Sequence, residues 1–244
     1  MFDLAGRTAL VTGAGQNVGA GIARALADRG AQVIVNDLRP ERAAEVVEAI
    51  FEAGGSAIAV PFDVTDLAAV QAGLAGATVD ICVNNAGNGG AAGMVPTPFV
   101  DLDPADWRGP IDVNLGGVMN VVHVVLRPMI DRGWGRIVTI ASGAGTAGVG
   151  IGVAPYSAGK GGAIGFMRSL ALEVARRGVT ANSVALGLMD NVGSAATAQL
   201  ARSIPVGRLG TPADVAAMCV YLASEEAGWI TGQTIGLNGG SITS

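Results

Sequence analysis

Short apolar, β-branched runs alternate with longer stretches of helical character along the whole chain. The runs are TALVTG, QVIVND, AIAVPFDV, DICVNNAG, GRIVTIAS, VTANSVAL and QTIGLNGG, and the first three are followed by GAGIARALADRG, PERAAEVVEAIFEAG and DLAAVQAGLAG. The runs are apolar throughout instead of alternating with polar residues, the pattern of strands covered on both faces. Strands alternating with helices predict an α/β fold, a single-domain doubly wound parallel sheet of about seven strands with helices on both faces. Right-handed crossovers are then expected, and ligands are expected at the carboxyl ends of the strands. No boundary, repeat or linker divides residues 1–244; residues 88–104 and about 187–210 read as the longer irregular excursions, the second as a substrate lid.

Composition narrows the function classes. Half of the 244 residues are hydrophobic and 14% are charged, which suits one compact domain with a large core. The 38 glycines are dispersed without a three-residue period, so they read as tight turns and close backbone approaches. A formal charge of −5 with no basic cluster argues against nucleic acid and against an anionic membrane surface, leaving a small molecule as partner. Cys82 and Cys219 each sit in an apolar run and read as buried free thiols, and metal-ligand spacing is absent. The start, MFDLAGRTALVTGAG, lacks the pattern of a signal peptide, and no run reads as long enough to span a membrane, so a cytoplasmic protein is expected. His123, in VMNVVHVVL, reads as a packed or capped helix residue, and Trp107, Trp134 and Trp229 read as packing.

The first run ends in Thr12-Gly13-Ala14-Gly15-Gln16-Asn17-Val18-Gly19, with a helix beginning near Val18. A glycine-rich turn lets the backbone approach a pyrophosphate, and the helix amino terminus adds N–H donors and a partial positive charge. An ordinary strand-to-helix turn is the plainer alternative. Asp37 ends the second run; a carboxylate there can accept hydrogen bonds from adenosine ribose hydroxyls and would repel a 2′-phosphate, favouring NAD over NADP. It could instead serve the turn ahead of a helix starting at Pro40, and Arg39 and Arg42 could partly neutralise it.

Tyr156 and Lys160 stand four residues apart in APYSAGKGGAIGFMRSLALEV and share one helix face. At about 4 Å and an effective dielectric of about 20, an ammonium favours an ionised phenol by about 4 kcal/mol. That could bring a tyrosine from about 10 towards about 7, where it can exchange protons with an alcohol or a ketone. The same spacing also occurs on solvated helix faces.

In their order, these residues resemble the short-chain dehydrogenase/reductase family through nearly the whole chain. The glycine turn at 12–19 is followed by Asp63-Val64, Asn84-Asn85-Ala86-Gly87, Asn114 in VNLGG, Ser142, Tyr156 and Lys160, and then VGRLGTP and ITGQTIGLNGG. The resemblance implies a Rossmann-type oxidoreductase with Asn114, Ser142, Tyr156 and Lys160 as its catalytic set. Ser142 would orient the substrate oxygen, Tyr156 would act as general acid or base, Lys160 would tune the phenol and bind the nicotinamide ribose, and Asn114 would help to hold a relay water. The cofactor would lie along Gly13, Gly15, Gln16, Asn17, Val18, Gly19, Asp37, Asp63, Val64, Asn85, Ala86, Gly87, Gly187, Met189 and Asn191, with Tyr156 and Lys160 at its far end. Read singly, Ser142 could cap a turn, Asn114 brace a helix, Asp63 cap the helix after Thr65, and Gly87 supply a positive φ.

Three positions depart from the family pattern. Asn17 stands where glycine is usual, and asparagine is the residue that next most readily enters the left-handed region. Leu186 replaces a proline before Gly187, which removes a φ constraint where the lid begins. Asn191 replaces a threonine that often meets the carboxamide. The stretch GAGTAGVGIGVAP and the lid residues Leu188, Met189, Val192 and Leu200 suggest a hydrophobic ketone, alcohol or acyl chain, or simply lid packing. Arg132, Arg176 and Arg177 lie in regions that resemble the docking surface of carrier-protein reductases, which makes an acyl carrier protein a partner to weigh. Three readings follow: an NAD-linked alcohol dehydrogenase or ketone reductase, a 3-oxoacyl thioester reductase, and a regulatory nucleotide binder without turnover. The resemblance also implies a homotetramer built from helices near residues 110–130 and 157–175 and the carboxyl-terminal segment.

Overall fold

The computed structural model describes residues 1–87, 95–190 and 199–243. Seven strands form one sheet: β1 (Thr8–Val11), β2 (Gln32–Val35), β3 (Ser56–Ala59), β4 (Ile81–Asn84), β5 (Gly135–Ser142), β6 (Val179–Leu186) and β7 (Thr234–Leu237). Their order is β3-β2-β1-β4-β5-β6-β7, and every pairing is parallel. Each apolar run read from the sequence holds one strand, and GRIVTIAS and VTANSVAL coincide with β5 and β6 residue for residue. The chain winds from β1 to β3 in one direction and resumes at β4 on the other side of β1, so a crevice opens at the carboxyl ends of β1 and β4.

Helices cover both faces: α1 (Asn17–Ala27), α2 (Pro40–Glu52), α3 (Leu67–Gly73), α4 (Arg108–Ile111), α5 (Gly117–Arg132), α6 (Ala154–Val174) and α7 (Pro212–Ala223). Successive strand residues serve opposite cores, as the pleat requires. Ala9 and Val11 pack with Ile22, Val46 and Val215 of α1, α2 and α7, whereas Leu10 packs with Val70, Val121 and Met167 of α3, α5 and α6. Both thiols, Cys82 and Cys219, are buried and free, and burial pushes each up to about 12.

Four expectations are corrected. Double cover fails at the sheet edges: in β3 Ile58 is exposed, and no residue of β7 is fully buried, because the helices sit over the central strands. One described helical run, residues 104–132, does reach the length and hydropathy of a membrane span. Its hydropathy is explained by core packing, since Val118, Val121, Val122, Val125 and Met129 are buried within the fold. His123 is exposed on α5 instead of packed. Trp229 is 99% exposed, so it packs nothing within the chain, while Trp134 is held between the guanidinium groups of Arg7 and Arg136 at 3.7 and 4.4 Å from its ring centroid.

Candidate active site

The amino-terminal half of the site is built at the β1–β4 crevice. Gly13 takes φ +59°, and a Cβ there would stand 2.8 Å from the Cα of Ala86, so the turn admits no side chain. Asn17 takes φ +46°, the left-handed conformation that its amide side chain tolerates best after glycine. The cap of α1, Gln16, makes no side-chain hydrogen bond, and Gln16, Asn17, Val18 and Gly19 line the cleft. The amino end of an eleven-residue helix therefore faces it with its dipole and backbone donors.

Side chains from neighbouring strands hold that turn. Thr12 Oγ1 accepts from the backbone N–H groups of Asn85 and Ala86, both at 3.1 Å, and Asn85 Nδ2 donates to the carbonyls of Thr12 (3.0 Å) and Gly13 (2.9 Å). Asn36 Nδ2 donates to the carbonyls of Val60 and Phe62, joining β2 to the strand beside it. Asp37 is nearly buried; its Oδ2 accepts from Gly15 N and its Oδ1 from Arg39 N, each at 3.0 Å. The carboxylate thus serves the turn ahead of Pro40, as one alternative held, and also clamps the glycine loop. Arg39 and Arg42 line the cleft beside it.

Asp63 accepts from the N–H and hydroxyl of Thr65, both at 2.8 Å; the cap of α3 is Asp66, whose carboxylate accepts from Ala68 N and Ala69 N. Val64 is buried against Gly117. Gly87 does not take a positive φ, and what it supplies is space, because a Cβ there would stand 2.7 Å from Asn114 Oδ1 and 2.9 Å from Lys160 Nζ.

Asn114 lies in a π-helical turn, Asp112–Gly116, between α4 and α5. Its Nδ2 donates to the Pro110 carbonyl at 2.7 Å, the acceptor an α-helix would offer to its own backbone N–H, and the backbone widens there. Ser142 ends β5, and its Oγ accepts from Ala144 N at 3.2 Å. Tyr156 lies in the first turns of α6 and hydrogen-bonds Ser142. Lys160 is buried and donates to the Ile140 carbonyl at 2.6 Å, with its Nζ 5.9 Å from the Tyr156 ring centroid.

The electrostatics differ from the sequence expectation. Burial pushes the Tyr156 phenol above its ordinary value, and the Ser142 hydrogen bond draws it only part of the way back. Burial also pulls the Lys160 ammonium down from 10.5 to about 8. Spacing alone suggested a phenol made acidic by an adjacent charge; desolvation of both groups outweighs that attraction, and the lysine spends its short hydrogen bond on a backbone carbonyl.

A cleft of about 890 Å³ joins these parts. It is lined by Gly13, Gln16, Asn17, Val18, Gly19, Asp37, Asp63, Val64, Asn85, Ala86, Gly87, Ser142, Tyr156, Lys160, Gly187 and Met189. Gly15 and Asn114 stand behind that surface, Gly15 against Asp37 and Asn114 fully buried beside Gly87. Asn191 and Val192 lie outside the described residues. Leu188 lines the cleft and Leu200 is exposed, while Leu186 is an ordinary strand residue in register with Ser142 and Leu237. Thr12, Asn36 and the carbonyls of Pro110 and Ile140 escaped the sequence reading; only a polar residue closing an apolar run hinted at the first two.

Length, polarity and the glycine-lined wall suit an extended dinucleotide, with a helix end for its diphosphate and a hydroxyl, phenol and amine at the opposite end. The model for short chain dehydrogenases matches residues 7–201. The chain is 38% identical over 249 residues to the 3-oxoacyl-[acyl-carrier-protein] reductase of Escherichia coli K12, covering 98% of each. It resembles a gluconate 5-dehydrogenase of Burkholderia cenocepacia solved with NADP and tartrate, at TM-score 0.89 and 34% identity over 98% of this chain and 96% of that one. It also resembles a 3-oxoacyl-[acyl-carrier protein] reductase of Brucella melitensis with bound NAD, at TM-score 0.93 and 32% identity over 99% and 94%. The chain belongs to the short-chain dehydrogenase/reductase family, whose Rossmann-type fold binds a nicotinamide cofactor and whose enzymes act on carbonyl and hydroxyl groups.

Proposed function

We propose that the protein transfers a hydride between NAD(H) and a hydrophobic secondary alcohol or ketone, with Tyr156 as general acid and base. The observation that carries this reading is that Ser142, Tyr156 and Lys160 line the same cleft as the glycine turn and Asp37. Backbone of residues 13–19 would hold the diphosphate, Asp37 the adenosine ribose, and Lys160 the second ribose. The cofactor supplies or accepts the hydride when bound. In reduction, Ser142 orients the carbonyl oxygen and neutral Tyr156 gives that oxygen its proton. A phenol whose burial raises its pKa keeps the proton near neutral pH, which suits a donor. In oxidation the phenolate takes the alcohol proton. Lys160, together with a water held by Asn114, would exchange that proton with solvent, and an ammonium near 8 is matched to such a task.

NAD is favoured because Asp37 places a carboxylate, fixed by two backbone N–H groups, at the adenosine end. Arg39 and Arg42 temper that preference, and related structures hold either nucleotide. Reduction of 3-oxoacyl thioesters is the second reading, favoured by the 38% identity to a carrier-protein reductase over 98% of the chain. Within one chain, Arg132 is committed elsewhere: it donates to the Val79 carbonyl and pairs with Asp80, just before β4 and at the opposite end of the sheet from the cleft. Exposed Met119 on α5 and Leu172 on α6 are consistent with self-association as a homotetramer.

A panel of secondary alcohols, ketones and acetoacetyl thioesters, followed at the NADH and NADPH absorbance bands, tests the reading. Turnover of apolar ketones with NADH, faster than with NADPH, is expected. Turnover confined to acetoacetyl thioesters would establish the second reading instead.

A further inference from the structure

The segment that carries the chain from Ser142 into α6 is anchored in its first half and open in its second. Thr146 N and Ala147 N donate to the Gly143 carbonyl at 3.0 and 2.8 Å, and a Cβ on Gly145 would stand 2.9 Å from Gly161 N, so residues 143–147 lie against α6. Beyond them, would-be Cβ atoms on Gly148 and Gly150 meet nothing within 4 Å among the described residues, and Val149 and Ile151 are exposed. The helix then starts behind Val153, which makes no side-chain cap hydrogen bond. Capping therefore does little to hold the turn that bears Tyr156.

Val153 and Pro155 are buried, and a backbone hydrogen bond ties that turn to a distant stretch. The Gly152 carbonyl accepts from Thr97 N at 2.9 Å. Gly152 takes φ +74°, and a Cβ there would stand 2.7 Å from Thr97 N and 2.8 Å from Thr97 C, so both conformation and space demand glycine. Thr97 lies two residues before the short helix Phe99–Asp101. The contact thus joins two stretches that are far apart in sequence, one just ahead of a short helix and one leading into α6.

We propose that the hydrogen bond from Thr97 to Gly152 positions Tyr156, pinning the start of α6 against the stretch ahead of the short helix Phe99–Asp101. This rests on the acid/base reading of Tyr156. A displacement of about 1 Å at a reacting group can cost on the order of 100-fold in rate, and the Tyr156 phenol must meet both Ser142 and a substrate oxygen. Thr97 and Gly152 are not among the residues that line the cleft, so each would act through the helix.

The test compares Thr97→Pro, which removes the N–H donor, Thr97→Ala, which keeps it, and Gly152→Ala. The readouts are the single-turnover rate of the best ketone with the nucleotide the wild type uses, nucleotide Kd by fluorescence, and folding by circular dichroism. Thr97→Pro and Gly152→Ala should slow the single turnover at least tenfold with Kd within twofold, and Thr97→Ala should match the wild type. Should Gly152→Ala not fold, Thr97→Pro decides. A Thr97→Pro rate within twofold of wild type, an equal loss in Thr97→Ala, or a parallel loss of nucleotide binding would overturn the proposal. Tyr156→Phe separates the two readings: full activity there removes the acid/base role itself, whereas an inactive Tyr156→Phe beside a normal Thr97→Pro removes only the positioning role.

Discussion

A buried ammonium is costly, and Lys160 answers that cost with one short bond to the Ile140 carbonyl. Its depressed pKa makes stability pH-dependent in a definite direction. Between about 8 and 10.5 the unfolded lysine holds a proton that the folded one has released, so stability rises with pH across that window. Urea titrations should show the wild type gaining on Lys160→Met by on the order of 3 kcal/mol from pH 8 to above 10.5; a constant difference would contradict the burial of the charge. The sequence suggested a ribose contact for Asp37 but not its grip on Gly15, because a clamp between the end of β2 and the loop after β1 is a tertiary fact. Asp37→Ala should weaken even an NAD analogue that lacks both adenosine ribose hydroxyls, by several-fold in calorimetry, because the clamp on Gly15 is lost. Unchanged affinity for that analogue would leave Asp37 with ribose recognition alone.

At the scale of elements, the strands were readable because each buried run is continuous and ends in a polar residue or glycine. The π-turn at Asn114 was not, since nothing in VNLGG distinguishes it from ordinary helix; it arises when the side chain captures the Pro110 carbonyl. Helix α7 is anchored more plainly. Thr211 and Asp214 form a reciprocal capping box, and just before it Gly210 N donates to the Leu188 carbonyl at 3.0 Å while Asp190 N donates to the Gly210 carbonyl at 2.8 Å. The box therefore steadies both α7 and the segment that lines the cleft after β6. Thr211→Ala should cost about 1 kcal/mol in urea denaturation. Arg208→Ala, which breaks an exposed pair with Asp214, should change stability by less than Thr211→Ala does. The reverse ranking would mean that the ion pair, not the cap, holds the helix.

Across the whole molecule, most of the residues read as the candidate site gather in one cleft at the carboxyl ends of the strands, the place that the alternation of runs and helices pointed to. The reversal of strand order at β1 and β4 came only with the fold. What escaped were the long-range ties, Thr12 to Asn85 in the cleft wall and Thr97 to Gly152 ahead of α6, because pairs so distant in sequence leave no local pattern. The sign of the phenol's shift escaped for the same reason: spacing reports the neighbouring charge, and only the packed fold reports desolvation. A raised phenol pKa implies a directional pH response, with alcohol oxidation climbing into the alkaline range and ketone reduction sustained near neutrality. Both limbs should depend on one side chain. The most direct measurement is steady-state turnover of the best ketone by Tyr156→Phe, with nucleotide binding followed by fluorescence quenching. Loss of at least 100-fold in kcat with nucleotide Kd within threefold of wild type is the expected result; full turnover, or a wild type that binds no nicotinamide nucleotide, would contradict it.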